Sequence, residues 1–135
     1  MKSELNREQT TSSINQLWLY NYEKYFDLFF KLHKSKNLPK SILISGLSGI
    51  GKSTFVFHFI NFLLSHNEEF KYSLDNYKIN ESNKSFRLIA NNIHPNFYLV
   101  ESKNLKKNIE IDQIRKMISY LNKTTFDKGL KIVLV

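Results

Sequence analysis

Apolar residues along this chain fall either at helical three- and four-residue steps or in short unbroken runs, and the two patterns alternate. From Ser12 or Ser13 onward, Ile14, Leu17, Trp18, Tyr22, Tyr25, Phe26, Phe29 and Leu32 recur at helical spacing, which predicts a long N-terminal helix. Ser12 or Ser13 supplies its N-cap, and Lys31, His33, Lys34 and Lys36 suit the negative end of the helix dipole. The helix is expected to end near Lys36 and Asn37, because Leu38 precedes Pro39. Residues 41–45, Ser-Ile-Leu-Ile-Ser, are an apolar β-branched run of the kind that forms a buried parallel strand. Residues 54–66 contain no Gly or Pro, and Phe55, Val56, Phe59, Ile60, Phe62, Leu63 and Leu64 predict a helix covered on most sides.

Residues 65–85 turn polar, rich in Asn, Ser, Lys and Glu, and read as a surface excursion with little core of its own. A short helix is expected over residues 86–91, with Phe86, Ile89 and Ala90 turned inward. His94-Pro95-Asn96 then breaks the chain before a second buried strand at residues 97–100, and residues 103–108 read as a polar loop or strand end. Ile109-Glu110-Ile111 leads into an amphipathic helix with Ile111, Ile114, Met117, Ile118 and Leu121 on one face and Asp112 as cap and dipole partner. Asp127-Lys128-Gly129 is a turn before a final apolar strand at residues 130–135. Residues 1–11 read as a flexible polar tail, which leaves residues 12–135 to form the domain. Strands alternating with helices predict a parallel three-layer α/β domain preceded by an N-terminal helix.

Composition narrows the picture only a little. At 135 residues the chain holds at most one domain, long enough for a real core. It has no cysteine, so disulfides and thiolate metal sites are excluded, and His33, His58 and His66 show no metal-ligand clustering. There is no apolar run of membrane-spanning length and no signal-peptide pattern, which makes a cytoplasmic protein without membrane attachment the default expectation. The net charge of +8 would suit a nucleic-acid neighbour. Its source is a broad excess of Lys, with Arg only at positions 7, 87 and 115, alongside much Asn, Ile and Phe. That joint bias is also what an AT-rich genome produces, and the basic residues are scattered rather than striped.

The chemistry concentrates in Gly46-Leu47-Ser48-Gly49-Ile50-Gly51-Lys52-Ser53, a complete G-x-x-x-x-G-K-[ST] phosphate-binding loop that contains three of the four glycines in the chain. Glycines let the backbone curl and turn successive N–H groups toward phosphate oxygens. Lys52 would reach the β- and γ-phosphates, the Ser53 hydroxyl would bind Mg²⁺, and the following helix would direct its positive end at the anion. Strand, glycine loop and helix in that order are the context the motif requires, and the candidate site runs from Gly46 through Thr54. The aromatic stripe before it reads as a packing face, with a base-stacking platform as the rival.

In ATPases of this loop type an acidic residue that orders Mg²⁺ and water follows a later buried strand. The chain ends at Val135, within the strand where that residue is expected to follow, and so reads as an N-terminal fragment of a longer protein. The alternative is that Glu101, after residues 97–100, is the metal-ordering acid.

Four features together resemble one family, the delta prime subunit of the bacterial DNA polymerase III clamp loader, a group of AAA+ P-loop proteins. Residues 37–46, Asn-Leu-Pro-Lys-Ser-Ile-Leu-Ile-Ser-Gly, are similar to that family's approach to its phosphate loop, and the loop itself is similar. His94-Pro95-Asn96-Phe97 resembles its His-Pro-Asp-aromatic segment, with Asn for the usual Asp. Ile111-Asp112-Gln113-Ile114-Arg115, followed by residues 121–135, resembles its Ile-Asp-x-Ile-Arg helix, loop and strand. Many members carry a four-cysteine zinc module after the first helix. Here an Asn/Ser/Lys-rich stretch stands there, so zinc is not carried over.

The resemblance implies a RecA-like AAA+ domain, and a subunit that binds ATP–Mg²⁺ and helps load the sliding clamp onto primed DNA during replication. It implies partnership with the other loader subunits in a hetero-oligomer, and with clamp and DNA through that complex. Hydrolysis is not implied, since nucleotide sites in this subunit are often degenerate. His94 is expected to be a turn-packing residue and Arg115 a helix-surface or subunit-contact residue. A small-molecule P-loop kinase and a structural subunit with a non-hydrolysing loop remain the alternatives.

Overall fold

In a computed structural model, which describes residues 12–102, 108–125 and 129–135, the chain is a small α/β assembly. A 3-10 turn at Ser13–Asn15 is followed by α1 (Glu23–Lys34), α2 (Lys52–Leu64), α3 (Lys84–Ala90), β1 (Phe97–Leu99), α4 (Ile111–Leu121) and β2 (Ile132–Leu134). The two strands are parallel, with Phe97 opposite Ile132, Tyr98 opposite Val133 and Leu99 opposite Leu134. Parallel pairing requires a crossover, and α4 lies in that connection.

Helix α2 is the centre of the fold because it is apolar on nearly every side. Phe55 and Phe59 enter one cluster with Leu19, Phe26, Tyr72 and Ile79, while Phe57 and Ile60 enter a second with Ile89 and Phe97. Phe26 of α1 is fully buried, stacked on Tyr72 at 5.1 Å and set edge-on to Phe59 at 5.5 Å and Phe62 at 5.7 Å. Phe29 meets Phe55 and Phe59 edge-on, each at 5.3 Å. Fully burying a side chain of this size contributes about 1.5–3 kcal/mol, and offset or edge-on ring pairs add roughly 0.5–1.5 kcal/mol. Phe26, Phe29 and Phe30 of α1 thus form a packing face, whereas Tyr25, which the spacing also turns inward, is exposed.

Several expectations are corrected. The N-terminal helix is not continuous: residues 16–22 leave helical geometry, and only residues 23–34 form α1. Leu19 N–H donates to Tyr77 O at 3.1 Å, and Ile79 N–H donates to Leu17 O at 2.9 Å, with an antiparallel bridge between Trp18 and Lys78. A non-local pairing some sixty residues away therefore overrides the local helical period, and Asn21, at φ 65°, makes the bend into α1. Ser12 precedes the 3-10 turn but makes no side-chain capping bond.

Residues 65–85 are not a coreless excursion. Tyr72 and Ile79 lie in the first cluster, and Ser65, Asn83 and Ser85 are buried. Their polar atoms are matched rather than exposed: Asn61 and Asn83 exchange amide hydrogen bonds at 3.2 and 3.3 Å, and Asn83 Oδ1 caps α3 by accepting Phe86 N–H at 2.8 Å. Ser65 Oγ accepts Tyr72 N–H at 3.1 Å. Composition marks this stretch as polar, but the paired amides let it go inside.

The strand expected at residues 41–45 does not form. Its backbone enters no ladder among the described residues, Leu43 is 92% exposed, and only Ile44 packs inward against the first cluster. A strand exists only with a partner, and β1 and β2 pair with each other. The sheet is accordingly two-stranded among the described residues, rather than the three-stranded centre of a three-layer domain.

Ala90 of α3 is exposed, not inward. In α4 the apolar face is only half covered: Ile114 and Met117 are partly buried, whereas Ile111, Ile118 and Leu121 are exposed. Two strands offer little surface to cover a helix, and Tyr120 makes the firm contact, stacked on Tyr98 at 5.0 Å with its hydroxyl donating to Pro95 O at 3.1 Å. The cap of α4 is Glu110 rather than Asp112; its N–H donates to Gln113 Oε1 at 3.0 Å. Most of the polar stretch 103–108 and of the turn 127–129, like the N-terminal tail, lies outside the described residues.

Candidate functional site

Residues 46–51 make a loop that delivers the chain directly into the first turn of α2. Gly49 (φ 79°) and Gly51 (φ 94°) are both in the left-handed region, where a side chain on Cα would clash with the backbone. Gly51 is the N-cap of α2, and Phe55 N–H closes the first helical bond onto its carbonyl at 3.1 Å. The N–H groups of Lys52, Ser53 and Thr54 therefore precede any intrahelical partner and face the loop end of a thirteen-residue helix. No acidic residue stands in that first turn to compete for them. Such an end carries the partial positive charge of the helix and suits an anion.

Lys52 folds its side chain back across the loop. Its ammonium donates to Gly46 O at 2.8 Å and to Leu47 O at 2.5 Å, which ties the start of the loop to its end. Ser53 is exposed in the first turn, so its hydroxyl is accessible at the helix end. The structure thus brings together the glycines, Lys52, Ser53 and Thr54 that the motif predicts; Leu47, Ser48 and Ile50 form the exposed outer side of the loop.

Sequence reasoning missed the neighbours of the loop. A cavity of about 230 Å³ opens beside it, lined by Gln16, Trp18, Tyr20, Tyr22, Gly51 and Thr54 among others. Trp18 packs one face against the Lys78 ammonium at 4.4 Å. The signal was present: Trp18, Tyr20 and Tyr22 alternate with Leu17 and Leu19, a two-residue period inside the longer helical one.

Other candidate residues make their hydrogen bonds and ion pairs with partners outside the loop. His94 is a turn residue, as expected: its Nδ1 accepts Asn96 N–H at 3.0 Å, and its Nε2 faces Ser85 Oγ at 3.2 Å. Ser85 in turn hydrogen-bonds to the Glu68 carboxylate, which also accepts the Ser85 N–H at 3.0 Å. Partial burial lowers the His94 pKa, with Glu68 opposing and Lys84 assisting the shift, and both ring nitrogens are engaged in holding the turn into β1. Arg115 is on the surface of α4, paired with Asp112 at 3.1 Å. Glu101 is exposed, and its backbone carbonyl accepts from Gln113 Nε2 at 2.8 Å.

In the sequence His58 is only an unclustered histidine. It is fully buried, with Nε2 2.8 Å from Gln16 O and Nδ1 2.9 Å from the Tyr72 hydroxyl. Burial pushes its pKa down to about 4, against a smaller raising effect of the Gln16 carbonyl. Among the described residues no group of three or more His, Cys, Asp or Glu could hold a metal ion, and no helix is long and apolar enough to cross a membrane.

No curated protein matches the sequence significantly. The sequence profile of one family, described as DNA polymerase III, delta subunit, matches residues 22–135, from the tyrosine beside the loop to the end of the chain. That span takes in the loop, the whole of α1 to α4 and both strands, and the chain belongs to the DNA polymerase III delta subunit family.

Proposed function

We propose that this chain serves as a delta prime-type subunit of a bacterial clamp loader and that residues 46–54 hold ATP with Mg²⁺. The observation that carries the nucleotide reading is the loop itself: two left-handed glycines and the Lys52 ammonium stand at the N-terminus of a thirteen-residue helix. In this reading the first-turn N–H groups and Lys52 bind phosphate oxygens, Lys52 exchanging its carbonyl contacts for them. The Ser53 hydroxyl is the group available to hold Mg²⁺, which when bound neutralises phosphate charge. The aromatic cavity beside the loop has the size and lining to take the base.

The proposal is one of binding rather than hydrolysis. Family membership supports the loader over a small-molecule kinase, and supports a cytoplasmic assembly with the other loader subunits, acting through that assembly on clamp and primed DNA. Calorimetric titration with MgATP tests the nucleotide reading: binding is expected, with at least tenfold weaker affinity in Lys52→Ala. A wild-type protein without measurable affinity overturns it. Copurification with the remaining loader subunits tests the assembly, and failure to associate with any of them counts against the loader assignment.

A further inference from the structure

The phosphate loop is held by a residue outside its motif. Tyr22 lies at the entry to α1, where it provides the carbonyl for the first helical bond, to Phe26 N–H at 2.9 Å. Its ring stacks on Phe55 of α2 at 5.6 Å and leans on Tyr25 at 5.9 Å. From that shelf its hydroxyl donates to Ile50 O at 2.6 Å, and its Cε2 would lie 3.3 Å from a Cβ at Gly51. The contact spans twenty-eight positions of sequence and reaches the peptide that joins Ile50 to Gly51.

Peptide geometry gives this contact a consequence. In a planar trans peptide the carbonyl and the following N–H point in opposite directions. Among the described residues no peptide bond is cis, so fixing the Ile50 oxygen on Tyr22 directs the Gly51 N–H away from the tyrosine. Gly51 carries the left-handed φ that makes this orientation possible without steric cost. We infer that Tyr22 is a positioning residue of the phosphate site: its hydroxyl orients the Ile50–Gly51 peptide so that the Gly51 N–H is presented to a phosphate oxygen. This rests on the nucleotide reading above and deepens it, because it assigns Tyr22 to the phosphates rather than to the base whose cavity it also borders.

The test is Tyr22→Phe, which removes the hydroxyl and keeps the stacked ring. MgATP, magnesium tripolyphosphate and adenosine are titrated separately into wild-type and variant protein. Losing one oriented donor is expected to weaken ATP and tripolyphosphate equally, by about fivefold, and to leave adenosine unchanged. The Gly51 amide resonance is expected to shift in the variant before any ligand is added, with the melting temperature within a few degrees of wild type. A loss confined to ATP and adenosine places Tyr22 on the base and overturns the inference, as does equal binding by both proteins. If wild-type protein binds neither ATP nor tripolyphosphate, the nucleotide reading itself falls, and this inference with it. If wild type binds both and only the tyrosine effect is missing, the nucleotide reading stands and this inference alone is lost.

Discussion

Tyr72 donates its hydroxyl hydrogen to Nδ1 of His58 across 2.9 Å, deep beneath α2. The direction follows from the other side of the ring, where Nε2 faces the carbonyl of Gln16 at 2.8 Å. A carbonyl can only accept, so Nε2 carries the proton, and a neutral ring leaves Nδ1 to accept. One imidazole thereby ties α2 to the N-terminal segment, 42 positions away at Gln16, and to the stretch that follows the helix, 14 positions away at Tyr72.

This arrangement predicts an acid-sensitive fold. The unfolded chain takes up a proton at His58 near pH 6.5, but the folded chain only near pH 4, because burial disfavours the imidazolium. The stability contribution is therefore complete above about pH 6.5, falls as pH drops toward 4, and levels below that. Its full size is about 3 kcal/mol. His94, also lowered by burial, acts in the same direction. Urea midpoints measured at pH 7, 5.5 and 4.5 should decline stepwise, and His58→Gln should flatten much of the decline. An equally steep decline in His58→Gln would rule out this ring as its source.

The buried amide pair predicts strong coupling. Removing Asn83 takes the acceptor from Asn61 Nδ2, leaves Asn61 Oδ1 only the Ser65 hydroxyl at 3.4 Å, and deletes the cap of α3 at Phe86 N–H, so Asn83→Ala should cost roughly 2–4 kcal/mol. Asn61→Ala should cost roughly 1–3 kcal/mol. The double variant should be less destabilised than the sum by about 1 kcal/mol or more, since the second change removes the partner already orphaned by the first. Additive losses in denaturant titrations would mean that the pair does not act as a unit.

Phe26 predicts the largest single loss in the core. It is fully buried and touches the rings of Phe59 and Phe62 in α2 and of Tyr72 and Tyr77 in the stretch after it, so its truncation opens a cavity between α1 and those two segments. Phe26→Ala should cost about 3–5 kcal/mol, whereas Tyr25→Ala, on the exposed side of α1, should cost far less. Similar losses at the two positions would show that α1 is not seated on α2 through Phe26.

What the sequence made legible was whatever its neighbours in sequence determine. The loop of residues 46–53 is readable because its glycine conformations and its lysine contacts all close within eight residues. Helices α2 and α4 and the strands β1 and β2 were readable from runs of their own residues. The segment at residues 16–22 was not, because its backbone partners are Tyr77 and Ile79. For the same reason Tyr22 carried no motif signal: its partners, Ile50 and Phe55, are near it only in space. Residues 65–85 misled through composition, since paired asparagines and serines look like surface until their partners are known. Residues 41–45 misled in the opposite way, because an apolar run states a preference for a sheet but supplies no strand to pair with.

The two left-handed glycines separate backbone strain from crowding. Alanine at Gly49, φ 79°, would meet nothing within 4 Å, so Gly49→Ala should cost only the roughly 1–2 kcal/mol of a left-handed alanine. Alanine at Gly51, φ 94°, bears the same strain and in addition places Cβ 3.3 Å from Tyr22 Cε2. That ring cannot simply retreat, because Phe55 supports its face and Ile50 O holds its hydroxyl. Gly51→Ala should therefore be the less stable variant in thermal melts, and the weaker of the two in MgATP titrations. In a Tyr22→Ala background the crowding partner is gone, and the extra stability loss at Gly51 should shrink to the value at Gly49. If the gap between the two alanine variants persists in that background, Tyr22 is not what makes glycine necessary at position 51.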